Sequence, residues 1–300
     1  MAGGLDLPVV DLASPDLRAA AASVRRACVE HGFFYVANHG VDAVLLGAVF
    51  AESRRFFGLP LGEKMALRTR TKHRGYIPLY TQKLDASESR GDVRECFSVG
   101  PTGDGDWEND VNQWPAKEHF LDASKRILSL IALSLDLDAE FFQKIGAFDN
   151  PSSVIRLLHY PGEGEVNESD SGNYGASAHS DYGMITLLAT DGTPGLQICR
   201  EKDRQPQLWE DVHHIDGALI VNIGDLLERW TNFLFRSTLH RVVGVGKERY
   251  SVAFFLNPNP DLVVECLESC CSEANPPRFP PIRSGDYLKE RLNASYKIIK

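Results

Sequence analysis

Residues 178–199 read AHSDYGMITLLATDGTPGLQIC. The run Met184–Thr190 is apolar and rich in β-branched residues, and it is too short for an independent helix. Gly183 precedes it. Asp191-Gly192-Thr193-Pro194-Gly195 follows it, a cluster that turns a chain, and Leu196–Cys199 resumes the apolar pattern. Two short strands joined by a turn are expected. The runs VIRLLHY (154–160), ALIVNIG (218–224) and RYSVAFFL (249–256) repeat the pattern between Gly, Pro, Asn and Asp clusters. No ten-residue segment of helical pattern separates most of these strands. A parallel α/β sheet is thereby disfavoured, and an antiparallel sandwich or barrel, a jelly roll, is expected.

Working outward from this core, the N-terminal part reads as helix-rich. LPVVDL (7–12) is a strand, and Ser14-Pro15-Asp16 is a helix start with Ser14 as cap. Leu17, Ala20, Ala21, Val24 and Cys28 recur at helical spacing before Gly32. FFYVA (33–37) is a second strand, and Asn38-His39-Gly40 a turn. Val41–Phe57 is helical, as is Pro60–Leu67. Arg70–Trp114 shows no clear period and carries Tyr76, Tyr80, Phe97, Trp107 and Trp114, so an ordered binding loop is expected there. A long helix begins near Pro115, passes Leu128 and Leu135, and its last part ends near Gly146. Asp286–Lys300 closes the chain as a helix. The expected fold is mainly β with α: a double-stranded β-helix core over 151–285, a helix-rich part over 1–150 and a C-terminal helix over 286–300, all within a single domain, 1–300.

Composition narrows the partners. The chain has 300 residues, is 43% hydrophobic and 24% charged, and carries a net charge of -9. This is ordinary for a soluble globular protein and gives no electrostatic reason to expect nucleic acid or an anionic membrane. The start has no basic stretch followed by an apolar one, so a cytosolic location is expected. Cys266, Cys270 and Cys271 lack the second C-x-x-C pair of a zinc site and are read, with Cys28, Cys96 and Cys199, as free thiols.

The chemistry sits between 178 and 251. His179 and Asp181 are two apart, so on an extended segment they project to one face. Fifty-eight residues intervene between Asp181 and His240, which stands in RSTLHRV. That is far enough for several antiparallel strands to bring the third group back. Two imidazoles and one carboxylate leave metal positions open, which suits a non-heme ferrous ion, although spacing alone leaves zinc open. Arg249 and Ser251, at i and i+2 of an otherwise apolar strand, form a clamp for a carboxylate. The adjacent pair His213-His214 points opposite ways on an extended chain and makes a poor chelate.

These motifs together resemble the 2-oxoglutarate/Fe(II)-dependent dioxygenases over nearly the full chain. LPVVDL with GFFYVANHG is similar to the start of the plant-type soluble branch of the isopenicillin N synthase-like superfamily. RGYIPLY, NQWP, RLLHYPG and RSTLHRV are similar to thymine hydroxylase-like members. The resemblance implies His179, Asp181 and His240 as iron ligands, Arg249 and Ser251 on the distal carboxylate of 2-oxoglutarate, and Tyr160 as a further co-substrate contact. Leu158 and His159 depart from the Asn and Tyr of the family's motif there, which puts one co-substrate hydrogen bond in doubt. The implied activity couples decarboxylation of 2-oxoglutarate to succinate with hydroxylation, demethylation or desaturation of a small, ring-containing metabolite. O2 is the oxidant and ascorbate the reductant. A catalytically idle binding protein of the same fold, an ascorbate-driven oxidase and a zinc hydrolase are the alternatives. Tyr76, Tyr80, Phe97, Phe233 and Phe255, with Arg156 at the mouth, are expected to border the substrate.

Overall fold

The computed structural model describes residues 5–68, 74–82, 84, 91–100, 115–163 and 174–296. Its strands are β1 (Val9–Asp11), β2 (Phe33–Ala37), β3 (Gly75–Ile77), β4 (Glu95–Val99), β5 (Val154–Tyr160), β6 (Ala176–His179), β7 (Ile185–Thr190), β8 (Leu196–Cys199), β9 (Glu210–Asp211), β10 (Leu219–Ile223), β11 (Leu239–Val242), β12 (Arg249–Leu256), β13 (Val263–Val264) and β14 (Ile282–Arg283). Its helices are α1 (Leu17–Glu30), α2 (Ala43–Phe57), α3 (Leu61–Ala66), α4 (Pro115–Ser134), α5 (Phe141–Lys144), α6 (Asp225–Trp230) and α7 (Ser284–Tyr296).

Eight strands form the major sheet in the order β1-β2-β10-β7-β12-β5-β4-β3, and four form the minor sheet, β6-β11-β8-β9. Apart from the parallel β1–β2 pair, neighbours in both sheets run antiparallel. The two-residue period sorts each strand's side chains between two apolar layers. Phe33, Tyr35, Leu158, Tyr160, Ile220 and Ala253 face the minor sheet and pack with Ala176, Leu196, Ile198 and Val242. Phe34, Val36, Leu157, Leu187, Val252 and Phe254 face the other way, onto Val24, Phe57, Phe120, Ile127 and Ile131 of the helices. This is the expected mainly-β jelly roll with a helical cover.

Local differences have physical causes. Asp16, not Ser14, caps α1: its Oδ1 accepts the Ala19 N–H at 2.9 Å, while Ser14 Oγ accepts the Asp16 N–H at 3.3 Å. A carboxylate at the helix N-terminus also faces the positive end of the dipole. The stretch read as an irregular loop from 70 to 114 contains β3 and β4, which end the major sheet. Alternation in β4 is hidden in the sequence because one outward residue, Glu95, is charged. It is 4% exposed, since Lys64 Nζ and His159 Nδ1 meet its carboxylate at 2.9 and 2.8 Å. Trp107 and Trp114 lie outside the described residues.

Candidate metal and co-substrate site

The minor sheet solves the spacing problem of the three metal-ligand candidates. His179 ends β6, and His240 lies within β11. The two pair directly across the antiparallel ladder, with ring centroids 4.2 Å apart. Asp181 lies beyond the end of β6, in the turn toward β7. His179 Nε2 and His240 Nε2 lie 3.9 and 3.8 Å from Asp181 Oδ1. One ligand atom from each residue falls within 4.8 Å of the others.

The backbone sets the ring orientation. His179 Nδ1 meets the Ser177 carbonyl at 2.8 Å, and His240 Nδ1 meets the Thr238 carbonyl at 3.2 Å. A carbonyl only accepts, so each Nδ1 carries the proton and each Nε2 presents its lone pair toward Asp181. Phe33 packs edge-on against His240, centroids 5.5 Å apart. Burial, reinforced by His240 and Arg94, pushes His179 down to about 3, against an opposing pull from Asp181. The ring is therefore neutral and able to ligate at neutral pH.

Asp181 is divided between two tasks. Its Oδ2 accepts Thr186 Oγ1 at 2.6 Å and Asn222 Nδ2 at 2.8 Å, leaving Oδ1 toward the imidazoles. Burial alone would raise this carboxyl, but His240, His179, Thr186 and Asn222 outweigh it and hold it below the ordinary carboxylate value. The turn that carries Asp181 is tightly packed. A Cβ on Gly224 would come within 2.2 Å of the Gly183 carbonyl oxygen, and one on Gly183 within 2.7 Å of the Leu256 carbonyl oxygen. Two imidazole nitrogens and one carboxylate oxygen, each with its other polar atom satisfied, fit a divalent ion that keeps open positions.

Arg249 opens β12 on the inner face of the major sheet and is 3% exposed. Its Nη1 donates to Ser251 Oγ at 3.3 Å, its Nε donates to the Thr193 carbonyl at 3.2 Å, and its guanidinium carbon lies 4.9 Å from the centre of the Tyr160 ring. Among the described residues, no carboxylate lies within ion-pair distance of it. A buried guanidinium without an acid partner is costly unless an anion from outside completes it. Leu158 stands opposite Ser251, so this wall lacks an amide. His159 faces away into the helical layer. There it joins Glu95 at 2.8 Å and Glu248 at 2.9 Å, stacked between Phe57 and Tyr250. The replacement at 159 therefore removes nothing from the inner face.

The residues expected around a substrate divide. Arg156 and Phe255 share the inner face: the guanidinium lies 5.3 Å from the ring centre, and Arg156 Nε donates to Ser98 Oγ at 3.0 Å. Tyr76 and Phe97 lie apart from them: they pair across β3 and β4 on the outer face and both pack on Phe56. Tyr76 also donates its hydroxyl to Glu95. Phe233 is 39% exposed and packs on Phe279 and Arg278, outside the inner layer. Tyr80 is half-buried in the turn after β3, where its N–H bonds the Asp92 carbonyl at 3.1 Å. Thr186, Asn222, Phe33 and Arg94 escape sequence reasoning. Only Asn222, a lone amide inside the apolar run LIVNI, carries a legible signal.

Comparison with known proteins gives concordant results. Residues 7–117 match the family described as non-haem dioxygenase in morphine synthesis N-terminal, and residues 151–258 match the 2OG-Fe(II) oxygenase superfamily. The chain is 40% identical to Kihadalactone A synthase LFS of Citrus sinensis, over 96% of this chain and 93% of the relative. It is 34% identical to the 2-oxoglutarate-Fe(II) type oxidoreductase hxnY of Emericella nidulans, over 91% and 84%. Among solved structures, a full-length Neurospora crassa protein in complex with alpha-KG and thymine aligns with a TM-score of 0.81 at 29% identity, covering 99% of both chains.

Proposed function

The chain belongs to the 2OG-Fe(II) oxygenase superfamily as an Fe(II)/2-oxoglutarate-dependent dioxygenase, and on that premise we propose how its own residues divide the work. His179, Asp181 and His240 hold the ferrous ion. Arg249 and Ser251 grip the distal carboxylate of 2-oxoglutarate, with Tyr160 beside them. The observation that carries this reading is the buried Arg249, for which no described residue offers a carboxylate. The bound ion supplies activation of O2, coupled to decarboxylation of 2-oxoglutarate to succinate. The protein's part is to hold the ion with two imidazoles and one carboxylate, to fix the co-substrate's far end and to present the substrate's C–H bond. Ascorbate is the expected reductant.

The substrate we propose is a small ring-bearing metabolite, oxidised by hydroxylation, demethylation or desaturation. Phe255 offers a ring face on the inner wall, and Arg156 beside it offers donors to a carbonyl or carboxylate edge. The Neurospora crassa complex holds thymine, a flat ring with carbonyl edges, and that likeness supports a ring without naming one.

Replacing Arg249 by Ala should weaken 2-oxoglutarate binding by roughly a hundredfold, the loss of a charge-assisted pair, while metal binding stays as it was. Titration of the co-substrate and of the metal into the same variant checks both halves. A variant that loses metal but keeps co-substrate affinity overturns the assignment. Incubation with small-molecule extracts, read by mass, then identifies the substrate as the compound oxidised only when 2-oxoglutarate and Fe(II) are both present. Product formed without 2-oxoglutarate contradicts the co-substrate assignment.

A further inference from the structure

A second arginine lies on the same inner wall. Arg94 comes one residue before β4, and in the β4–β5 ladder Glu95 pairs with His159. The next position of that register sets Arg94 beside Tyr160, and Tyr160 in turn pairs with Arg249 on β12. Arg94, Tyr160 and Arg249 thus form one row across the sheet, and they are 6%, 8% and 3% exposed. The Arg249 guanidinium lies over the Tyr160 ring, and Arg94 flanks Tyr160 on the other side of the row, where Tyr160 favours its charged form.

Arg94 is itself held firmly. Its Nη2 lies 3.2 Å from Gln82 Oε1 and 3.4 Å from Asp92 Oδ2. Asp92 Oδ1 accepts the Ser177 N–H at 3.0 Å and the Ser177 hydroxyl at 2.5 Å, which fastens the segment to β6, the strand that carries His179. Burial disfavours the charge on Arg94, but Asp92 and Tyr160 outweigh it and keep the group firmly protonated.

A guanidinium only donates. When it meets a phenol, the phenol oxygen accepts, and the phenol's own proton turns toward another acceptor. Across the row from Arg94, Tyr160 borders Arg249, whose guanidinium lies over its ring and is held by Ser251 and Thr193. We propose that Arg94 is a positioning residue of the co-substrate site, committing the Tyr160 hydroxyl to donate to the distal carboxylate of 2-oxoglutarate. This rests on the reading of Arg249 and Ser251 as the clamp. It also accounts for the tolerance of Leu158, which leaves the inner wall short of one polar side chain opposite Ser251. A purely structural Arg94 would only join Asp92 and Gln82 to close the gap between the sheets. The two roles separate in a double-mutant cycle with Tyr160.

The experiment is calorimetric titration of 2-oxoglutarate into full-length protein loaded with Mn(II), for the parent, Arg94→Lys, Arg94→Met, Tyr160→Phe and both double variants. Arg94→Met and Tyr160→Phe should each weaken binding by about fivefold, the worth of one hydrogen bond, and the double variant should be no weaker than either alone. Arg94→Lys keeps a charge for Asp92 and should fall between parent and Arg94→Met. Placed in the Tyr160→Phe background it should add nothing. Where Arg94→Met does not fold, the Lys cycle alone decides. In succinate release without prime substrate, KM for 2-oxoglutarate should rise while kcat changes by less than about twofold. Additive losses in the cycle, or unchanged affinity in Arg94→Lys and Arg94→Met, overturn the proposal. If the parent does not bind 2-oxoglutarate, the clamp reading falls first. If the parent binds and Arg249→Ala does not, while the Arg94 and Tyr160 effects add, only the role of Arg94 falls.

Discussion

At the residue scale, the proposed metal site is defined as much by what holds Asp181 as by the three residues proposed as ligands. Thr186 and Asn222 occupy Oδ2 and leave Oδ1 toward the imidazoles. Asn222→Leu keeps the volume and removes one of these bonds. Metal affinity should drop by about tenfold, the usual size of an outer-shell loss, with little change in 2-oxoglutarate affinity measured at saturating metal. Unchanged metal affinity would mean that Thr186 alone orients the carboxylate. The proposed ligands are legible in the sequence, because H-x-D and a distant histidine carry their chemistry in residue type. Thr186 and Asn222 are less so, since a hydroxyl or amide inside a strand takes its meaning from the neighbour across the ladder. Arg94 is hidden for the same reason: the run DVRE reads as solvated charge until Asp92, Gln82 and Tyr160 surround it.

At the element scale, β4 and β5 bind the core to its helical cover through polar groups. Glu95 gathers Lys64 from α3, Tyr76 from β3 and His159 from β5. Burial alone would raise the Glu95 carboxyl, but these three hydrogen-bonding partners hold it below its ordinary value of 4.5. A carboxyl depressed in the folded chain takes up protons in the unfolded chain first, so its stabilisation is present above that value and is lost as pH falls below it. Melting temperature measured from about pH 6 to about pH 3 should therefore decline more steeply for the parent than for Glu95→Gln. That variant should also melt lower at neutral pH, because Lys64 and His159 lose their shared carboxylate. Parallel curves would remove Glu95 from the acid response. The five strands named from β5 onward are legible through their apolar runs. The last two strands of the major sheet, β4 and the edge strand β3, are not, because their outward residues are made compatible with burial by pairing and not by hydrophobicity. That same pairing turns Tyr76 and Phe97 away from the inner face.

At the scale of the whole molecule, strands from both halves of the chain share one sheet. β1 to β4 come from the first hundred residues, and β5, β7, β10 and β12 from the second half. The outer face of those later strands is covered by α2 and α4, with Phe120 stacked on Phe254 at 5.6 Å between centroids, while α1 packs on β1, β2 and α4. We therefore read residues 1–300 as one cooperative unit, although the helix-rich start and the β-rich end differ in pattern. Calorimetry should show one unfolding transition, and Phe254→Ala should shift all of it downward, at a cost of about 3–5 kcal/mol. Two separable transitions would contradict this. The architecture is legible because short strands without crossover helices leave few other solutions. The substrate is not, since its pocket is assembled from strands whose inner and outer faces the sequence does not label.

The central claim is that a ferrous ion held by His179, Asp181 and His240 works with 2-oxoglutarate. The most direct measurement is succinate release by the parent and by His240→Ala, each with Fe(II), with Zn(II) and with chelator. The account predicts succinate only from the parent with Fe(II). Equal release from His240→Ala, or from the zinc-loaded parent, would contradict it.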